Sequence, residues 1–315
     1  MTGVLGIEFH QVALGPGIVN GVTTAALYGV IAVALVLSFR MSRTVAFVHG
    51  GIAMLAGYLY WYLTFPSAYF PDTKRWPVGL AILFVVVLGA VVGTVYGTLV
   101  MGRMKTWPRV TVTTFSLGVM LLVAGLMASI WIGLAEDITS PFGNAHYQLL
   151  GQRVSRNEIV ELVTLIVLVA ILTFVLNKTR TGTYVRAIAD DIEAAQLVGI
   201  PVERVGTGVW AISGMVSALA GVLIAAQINV SLASFLLIML RAFTVAMIGG
   251  FSSLPLVLLG GVLFGLTESI IGGGVFGTVD SGLREVILMA FLLGTIYVLF
   301  KFGRKATQSD LLEAR

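Results

Sequence analysis

Arg241 and Glu268 carry the chemistry that is hardest to reconcile with its surroundings. Each stands inside an apolar run, LIMLRAFTVAMIG and LFGLTESIIG. A charge in hydrocarbon costs about 3 kcal/mol on insertion scales, so it is normally paired or turned toward water. The two runs are joined by a tight turn, GGFSSLP, which allows both residues a similar depth. The spacing therefore predicts an ion pair or a polar network between neighbouring helices; a direct substrate role is the alternative. A second group is His49-Gly50-Gly51, again within an apolar run. Glycine pairs weaken a membrane helix, and an interruption is tolerated only beside protein or a wet cavity. Close packing through small residues and a break lining a pathway are both open there, as they are for Gly249, Gly250 and Pro255 in the tight turn.

The third group is acidic. Asp190, Asp191 and Glu193 fall in the stretch from Val185 to Val205, VRAIADDIEAAQLVGIPVERV, the longest charged run of the chain. It reads as one short amphipathic helix. Asp190 is the expected N-cap, with Glu193 three residues on at capping-box spacing. The acids suit the positive end of the helix dipole. Gly199 can take the left-handed conformation that ends a helix, and Pro201 cannot continue one. Ile192, Ala195 and Gln196 share a face, with Ala194, Leu197 and Val198 close to it. Such a ridge between two membrane runs is a passive connector or a docking knob.

Enzyme chemistry finds no footing. The chain has no Gly-rich loop followed by Lys and Ser or Thr, no HExxH and no GxSxG. It has no cysteine, and its three histidines are scattered, so thiolate and histidine metal sites are not expected. No catalytic residue, resident cofactor or nucleic-acid partner is expected. Of its 315 residues, 58% are hydrophobic and only 11% charged, with a mean hydropathy of +1.00, against roughly a quarter charged in a soluble domain. Several runs reach the roughly 17–25 residues needed to cross a bilayer. The expected fold is an all-α polytopic transmembrane bundle of about eight or nine spans, forming one domain over residues 1–315.

The elements that position these groups follow in order. The first run, Gly17 to Phe39, precedes Arg40 and Arg43, and no basic residue stands before it, so it is a true span rather than a cleavable signal. Runs follow over about 44–65, 78–101, 110–134, 158–177, 206–226, 235–251, 255–276 and 283–301. The sixth carries a small-residue face of Gly208, Ser213, Gly214, Ser217 and Gly221. Residues 65–77, 136–157 and 227–234 read as external loops; 136–157 is either a solvated loop or a docking surface. With the N-terminus outside and the C-terminus in the cytoplasm, thirteen of the nineteen Lys and Arg fall inside and five outside. That asymmetry obeys the positive-inside rule. A re-entrant hairpin around Gly249 and Gly250 would alter the span count.

Four segments match a known pattern. The opening span IVNGVTTAALYGVIAVALVLSF, AFVHGGIAMLAGYL, RAIADDIEAAQLVGIPVERV and LRAFTVAMIGGFSSLPLVLLGGVLFGLTES occur in order along nearly the whole chain. Together they resemble the permease subunits of branched-chain amino acid ABC importers, in particular the shorter, H-type subunit. AFVHGGIAMLAGYL is similar to that family's "NFAHG…MLGAY". The acidic segment is similar to its "RA…A…PEAARLLGI", and the last to its "AF…A…GGLGSIPGALLGGLLLGLLE". The chain departs from the pattern at Ala46, at Ser252-Ser253-Leu254-Pro255-Leu256 and at Ile192.

The resemblance implies an ABC importer permease fold in a bacterial plasma membrane, and no enzymatic activity of its own. It implies that 185–205 is the coupling segment, docking on a cytoplasmic ATPase through Asp190, Asp191, Glu193, Ala194, Ala195, Leu197 and Gly199. The implied complex holds a second, M-type permease, two ATPases that use ATP and Mg, and an extracytoplasmic substrate-binding protein. The implied cargo is a branched-chain or other hydrophobic amino acid. Urea and short amides are carried by close relatives and sugars by more distant ones. Two other classes stay open: an ion-coupled secondary transporter with a midplane site in broken helices, and a non-transporting scaffold.

Overall fold

The computed structural model describes residues 14–64, 75–104, 106–130, 142–143, 145–149, 152–227, 232–251, 253–271, 286–291, 293–294 and 297. Among the described residues, five helices are long and apolar enough to cross a membrane: α1 (Leu14–Ser42), α3 (Val78–Thr98), α4 (Arg109–Ile130), α5 (Arg156–Lys178) and α8 (Val202–Ala225). Three shorter apolar helices join them: α2 (Val48–Thr64), α9 (Leu232–Ile248) and α10 (Leu254–Ser269). At 17, 17 and 16 residues and 1.5 Å rise each, these fall short of the roughly 30 Å hydrocarbon core. Two short helices, α6 (Arg180–Asp190) and α7 (Ile192–Leu197), lie between α5 and α8. A hairpin of β1 (His146–Leu149) and β2 (Gln152–Ser155), paired antiparallel with Tyr147 opposite Val154, precedes α5. Much of the ninth apolar run, the basic tail, residues 65–74 and residues 228–231 lie outside the described residues.

α1, α2 and α8 are largely buried and form the centre, whereas α3, α4 and α5 turn most of their surface outward. That outward surface is Leu, Val, Ile and Phe, as lipid requires. Lipid offers no hydrophobic drive between helices, so close backbone contact has to supply the packing. Three seams do this with small residues four apart. On α3 and α8, a Cβ at Gly93 would overlap Trp210 O, and one at Gly214 would overlap Gly89 O. On α2 and α8, a Cβ at Gly221 would overlap Ala53 O. On α1 and α10, one at Gly265 would overlap Gly21 O. Ser213 and Ser217 are buried in the same region, but Gly208 has nothing within 4 Å and does not join a seam.

The contacts also fix directions. α2 and α8 run parallel, with Ala53 on Gly221 and Gly57 on Ala225, while α3 and α10 run antiparallel to α8 and α1. One end of the bundle thereby gathers Arg43, Arg109 and α6, since Arg43 reaches Ala189 O and shares a cleft with Arg109. Arg103, Lys178, Arg180 and Arg204 stand at the helix ends on this same side. The opposite end carries the β-hairpin and the start of α5. That start is fixed by a capping box: Ser155 N donates to Glu158 Oε2 at 2.6 Å and Glu158 N to Ser155 Oγ at 3.2 Å.

The run expected over 44–65 as an interrupted span differs from the structure. α2 begins at Val48, so His49, Gly50 and Gly51 are its first turn and interrupt no helix. The physical reason is the chain reversal after α1: Arg43 adopts a left-handed φ of 53°, and Phe47 N donates to Ser116 Oγ at 3.0 Å, which starts α2 inside the bundle.

Candidate functional site

The acidic stretch is two helices rather than one. Asp191, in extended conformation, ends α6 and caps α7; its Oδ1 accepts from Glu193 N at 2.8 Å and Ala194 N at 3.0 Å. The cap is thus Asp191 and not Asp190, and Glu193 falls too early for a capping box. An acid at either position could cap, and the backbone turn at Asp191 decides. The C-terminal end follows the expectation. Gly199 has φ +83°, Ile200 N donates to Ala195 O and Gly199 N to Gln196 O, both at 3.0 Å. This is a Schellman closure, and Pro201 stands directly before α8.

This segment is anchored at several points. Val185, Ile188, Ala195 and Val202 are buried. Arg43 at the end of α1 donates to Ala189 O, and Arg186 donates to Leu176 O at the end of α5. The C-terminal tip of α7 presents apolar side chains outward: Leu197 is 88% and Val198 77% exposed. Ala195 points inward, while Asp190, Asp191, Glu193, Ala194 and Gly199 are exposed. A cleft of about 490 Å³ opens beside α7, lined among others by Arg43, Arg109, Asp190, Asp191 and Glu193. An apolar tip with a charged rim of both signs has the composition of a protein-docking surface.

Arg241 and Glu268 lie on α9 and α10, and Arg241 Nη1 is 3.1 Å from Glu268 Oε1. The same Nη1 donates to Tyr28 Oη of α1 at 2.8 Å, and the guanidinium carbon lies 5.7 Å from the Tyr28 ring centroid. Tyr28 in turn meets Phe264 edge-on. Glu268 is 2% exposed. The network ties the α9–α10 hairpin to the central helix. The hairpin tip repeats the closure of α7: Gly250 has φ +66°, Phe251 N donates to Ala246 O at 3.1 Å and Gly250 N to Met247 O at 2.8 Å. Pro255 then lies in the first turn of α10. Gly249, Gly250 and Pro255 therefore build a turn between two helices.

His49 is fully buried, with Nδ1 2.9 Å from Ser217 Oγ and its ring stacked 5.6 Å from Trp210. Gly50 lies against Met120 and Met239, and Gly51 against the Met120 backbone. A further buried acid, Glu161, stands near the start of α5. It is 1% exposed, and its carboxylate accepts from Asn157 Nδ2 at 3.2 Å and Gln227 Nε2 at 2.5 Å. Asn157 Nδ2 also reaches Leu223 O at 3.2 Å. The one available signal is the Asn157–Glu161 spacing of four, which puts both on one helix face.

The bundle, its small-residue seams and its supported apolar tip describe an all-α polytopic membrane protein. The family profile described as "Branched-chain amino acid transport system / permease component" matches residues 17–298. The chain belongs to that family and is a permease component of an ABC transporter, a transport subunit rather than an enzyme. It is 26% identical to the high-affinity branched-chain amino acid transport system permease protein BraD of Pseudomonas aeruginosa, over 82% of this chain and 86% of that one. It is 22% identical to the corresponding LivH of Escherichia coli, over 89% and 92%. It is also 30% identical to the fructose import permease protein FrcC of Rhizobium meliloti, over 84% and 69%. No solved structure matches.

Proposed function

We propose that this chain, paired with a homologous M-type permease, lines the pathway of an importer for branched-chain or other hydrophobic amino acids. Two ATPases that use ATP and Mg drive it from the basic end. A binding protein delivers cargo to the opposite end. The observation that carries this reading is the pair Leu197 and Val198, apolar side chains held out from a capped, anchored segment. Burying each fully would contribute roughly 1.5–3 kcal/mol to docking. Movement of α7 would pass to α8 through Pro201 and to α1 through the Arg43–Ala189 contact. The basic end lies in the cytoplasm under the positive-inside rule, which leaves the start of α1 outside.

The length of the match favours an amino-acid cargo. It extends over 86% of BraD and 92% of LivH, but over 69% of FrcC and 62% of the Salmonella typhimurium galactose/methyl galactoside permease MglC. Import of a sugar is the second reading, favoured by the higher identity to FrcC. At the outer end, the exposed strand β1 with Tyr147 and Leu149, beside Arg153 and Arg156, is the surface on which the binding protein would dock. Reconstitution with the partner subunits and binding protein, followed by uptake of labelled leucine and fructose, separates the readings. ATP-dependent leucine uptake is expected; uptake of fructose alone would overturn the amino-acid reading.

A further inference from the structure

Three aromatic rings meet where α2, α3 and α8 converge. His49 stacks on Trp210 at 5.6 Å and 14°, and Tyr96 lies 5.1 Å from Trp210. All three are buried, with His49 and Trp210 at 0% exposure. His49 Nε2 and Trp210 Nε1 have no hydrogen-bond partner among the described residues, and Tyr96 Oη has at most the Ser116 side chain beside it. Buried polar groups in folded proteins are nearly always paired, with ordered water where protein atoms do not serve. His49 and Tyr96 both pack on Trp210, so these three polar atoms border one junction.

The roles of these atoms are complementary. Ser217 Oγ donates to Ser213 O at 2.9 Å, the usual back-bond of a helical serine. Its single proton is then spent, so His49 Nδ1–H donates to Ser217 Oγ and Nε2 is left as an acceptor. Trp210 Nε1–H is a donor only, and the Tyr96 hydroxyl serves either way. A molecule that both donates and accepts is what the group lacks. We infer that a water molecule is bound at this junction, donating to His49 Nε2 and accepting from Trp210 Nε1, with Tyr96 Oη as a third partner. The site needs two to four polar partners to hold a water, and it supplies three. It lies on α8, the helix that leads from the Leu197–Val198 tip, and on the first turn of α2. A water there gives the two helices a contact that can break and re-form as α8 moves.

The test is a map of the assembled transporter in lipid at a resolution that shows ordered water. A peak within hydrogen-bonding distance of both His49 Nε2 and Trp210 Nε1 is expected. Ordered rings with no peak, or the two nitrogens in direct contact, overturn the inference. In Trp210→Phe the peak should be lost or displaced while the His49–Ser217 bond remains; a peak unmoved by that change removes Trp210 from the site and contradicts the assignment. Should that variant fail to assemble, 15N-histidine spectra of the wild-type chain in bilayers provide the second reading. Magnetisation originating on water should reach the Nε2 of the buried histidine, and a buried signal that receives none overturns the site.

Discussion

Replacing Leu197 and Val198 together by alanine should separate docking from folding. Both side chains are mostly exposed, so the core loses nothing. Leu→Ala removes three carbons and Val→Ala two, which at about 0.8 kcal/mol each sets an upper bound of about 4 kcal/mol if the partner covers them fully. With half of that surface covered, the loss is about 2 kcal/mol, or roughly 30-fold in affinity. The assay is binding of the detergent-solubilised permease pair to its ATPase, with thermal unfolding of the same preparations as the control. The expected result is weakened association and reduced ATP-driven uptake at unchanged thermal stability. Wild-type affinity in the double variant would refute the docking role of the tip.

The remaining predictions concern the intramembrane network, the seams and the cap. Arg241→Ala or Glu268→Ala should cost about 3–5 kcal/mol by stranding a buried charge, and the exchanged pair Arg241→Glu with Glu268→Arg should recover part of it. Equal loss in the exchanged pair and in the singles, by thermal unfolding, would remove the pairing from the account. Gly221→Val should prevent assembly because its Cβ has no room beside Ala53 O, whereas Gly208→Val should assemble normally; the yield of folded protein reads both. Asp191→Ala should cost about 1 kcal/mol of local stability, seen as about fivefold faster amide exchange at Glu193 and Ala194. Asp190→Ala should leave those amides unchanged, and the opposite ranking would show the cap misassigned.

What could be read from the residues follows the range of the physics. The Arg241–Glu268 proximity is legible because a seven-residue turn holds two short apolar runs at one depth, and Gly199 and Pro201 mark a helix end by local rules. The start of α2 is not legible: the one break in residues 44–65, His49-Gly50-Gly51, lies inside the helix, and the contact that sets Val48 as the first residue comes from Ser116, far along the chain. The cap expected at Asp190 falls one residue on, at Asp191, a shift that only backbone geometry resolves. The α8 half of the packing seam shows as small residues, but its partners Gly89 and Gly93 stand on another helix, and Gly208 imitates the pattern without a neighbour. The burial of Glu161 is not legible because its partner Gln227 lies 66 residues away. Tyr28, third member of the charged network, carries no sequence signal among the apolar residues of α1.

The chain contains no cysteine, so a single introduced thiol reports its own contact without background. The central claim is that the α7 tip meets an ATPase. Leu197→Cys, in the transporter assembled in native membranes and labelled with a short thiol-reactive photo-cross-linker, tests it most directly, with Leu83→Cys on the exposed face of α3 as the control. The account predicts a permease–ATPase product from position 197 and none from position 83. An assembled, ATP-driven transporter giving no ATPase product at position 197 would contradict it.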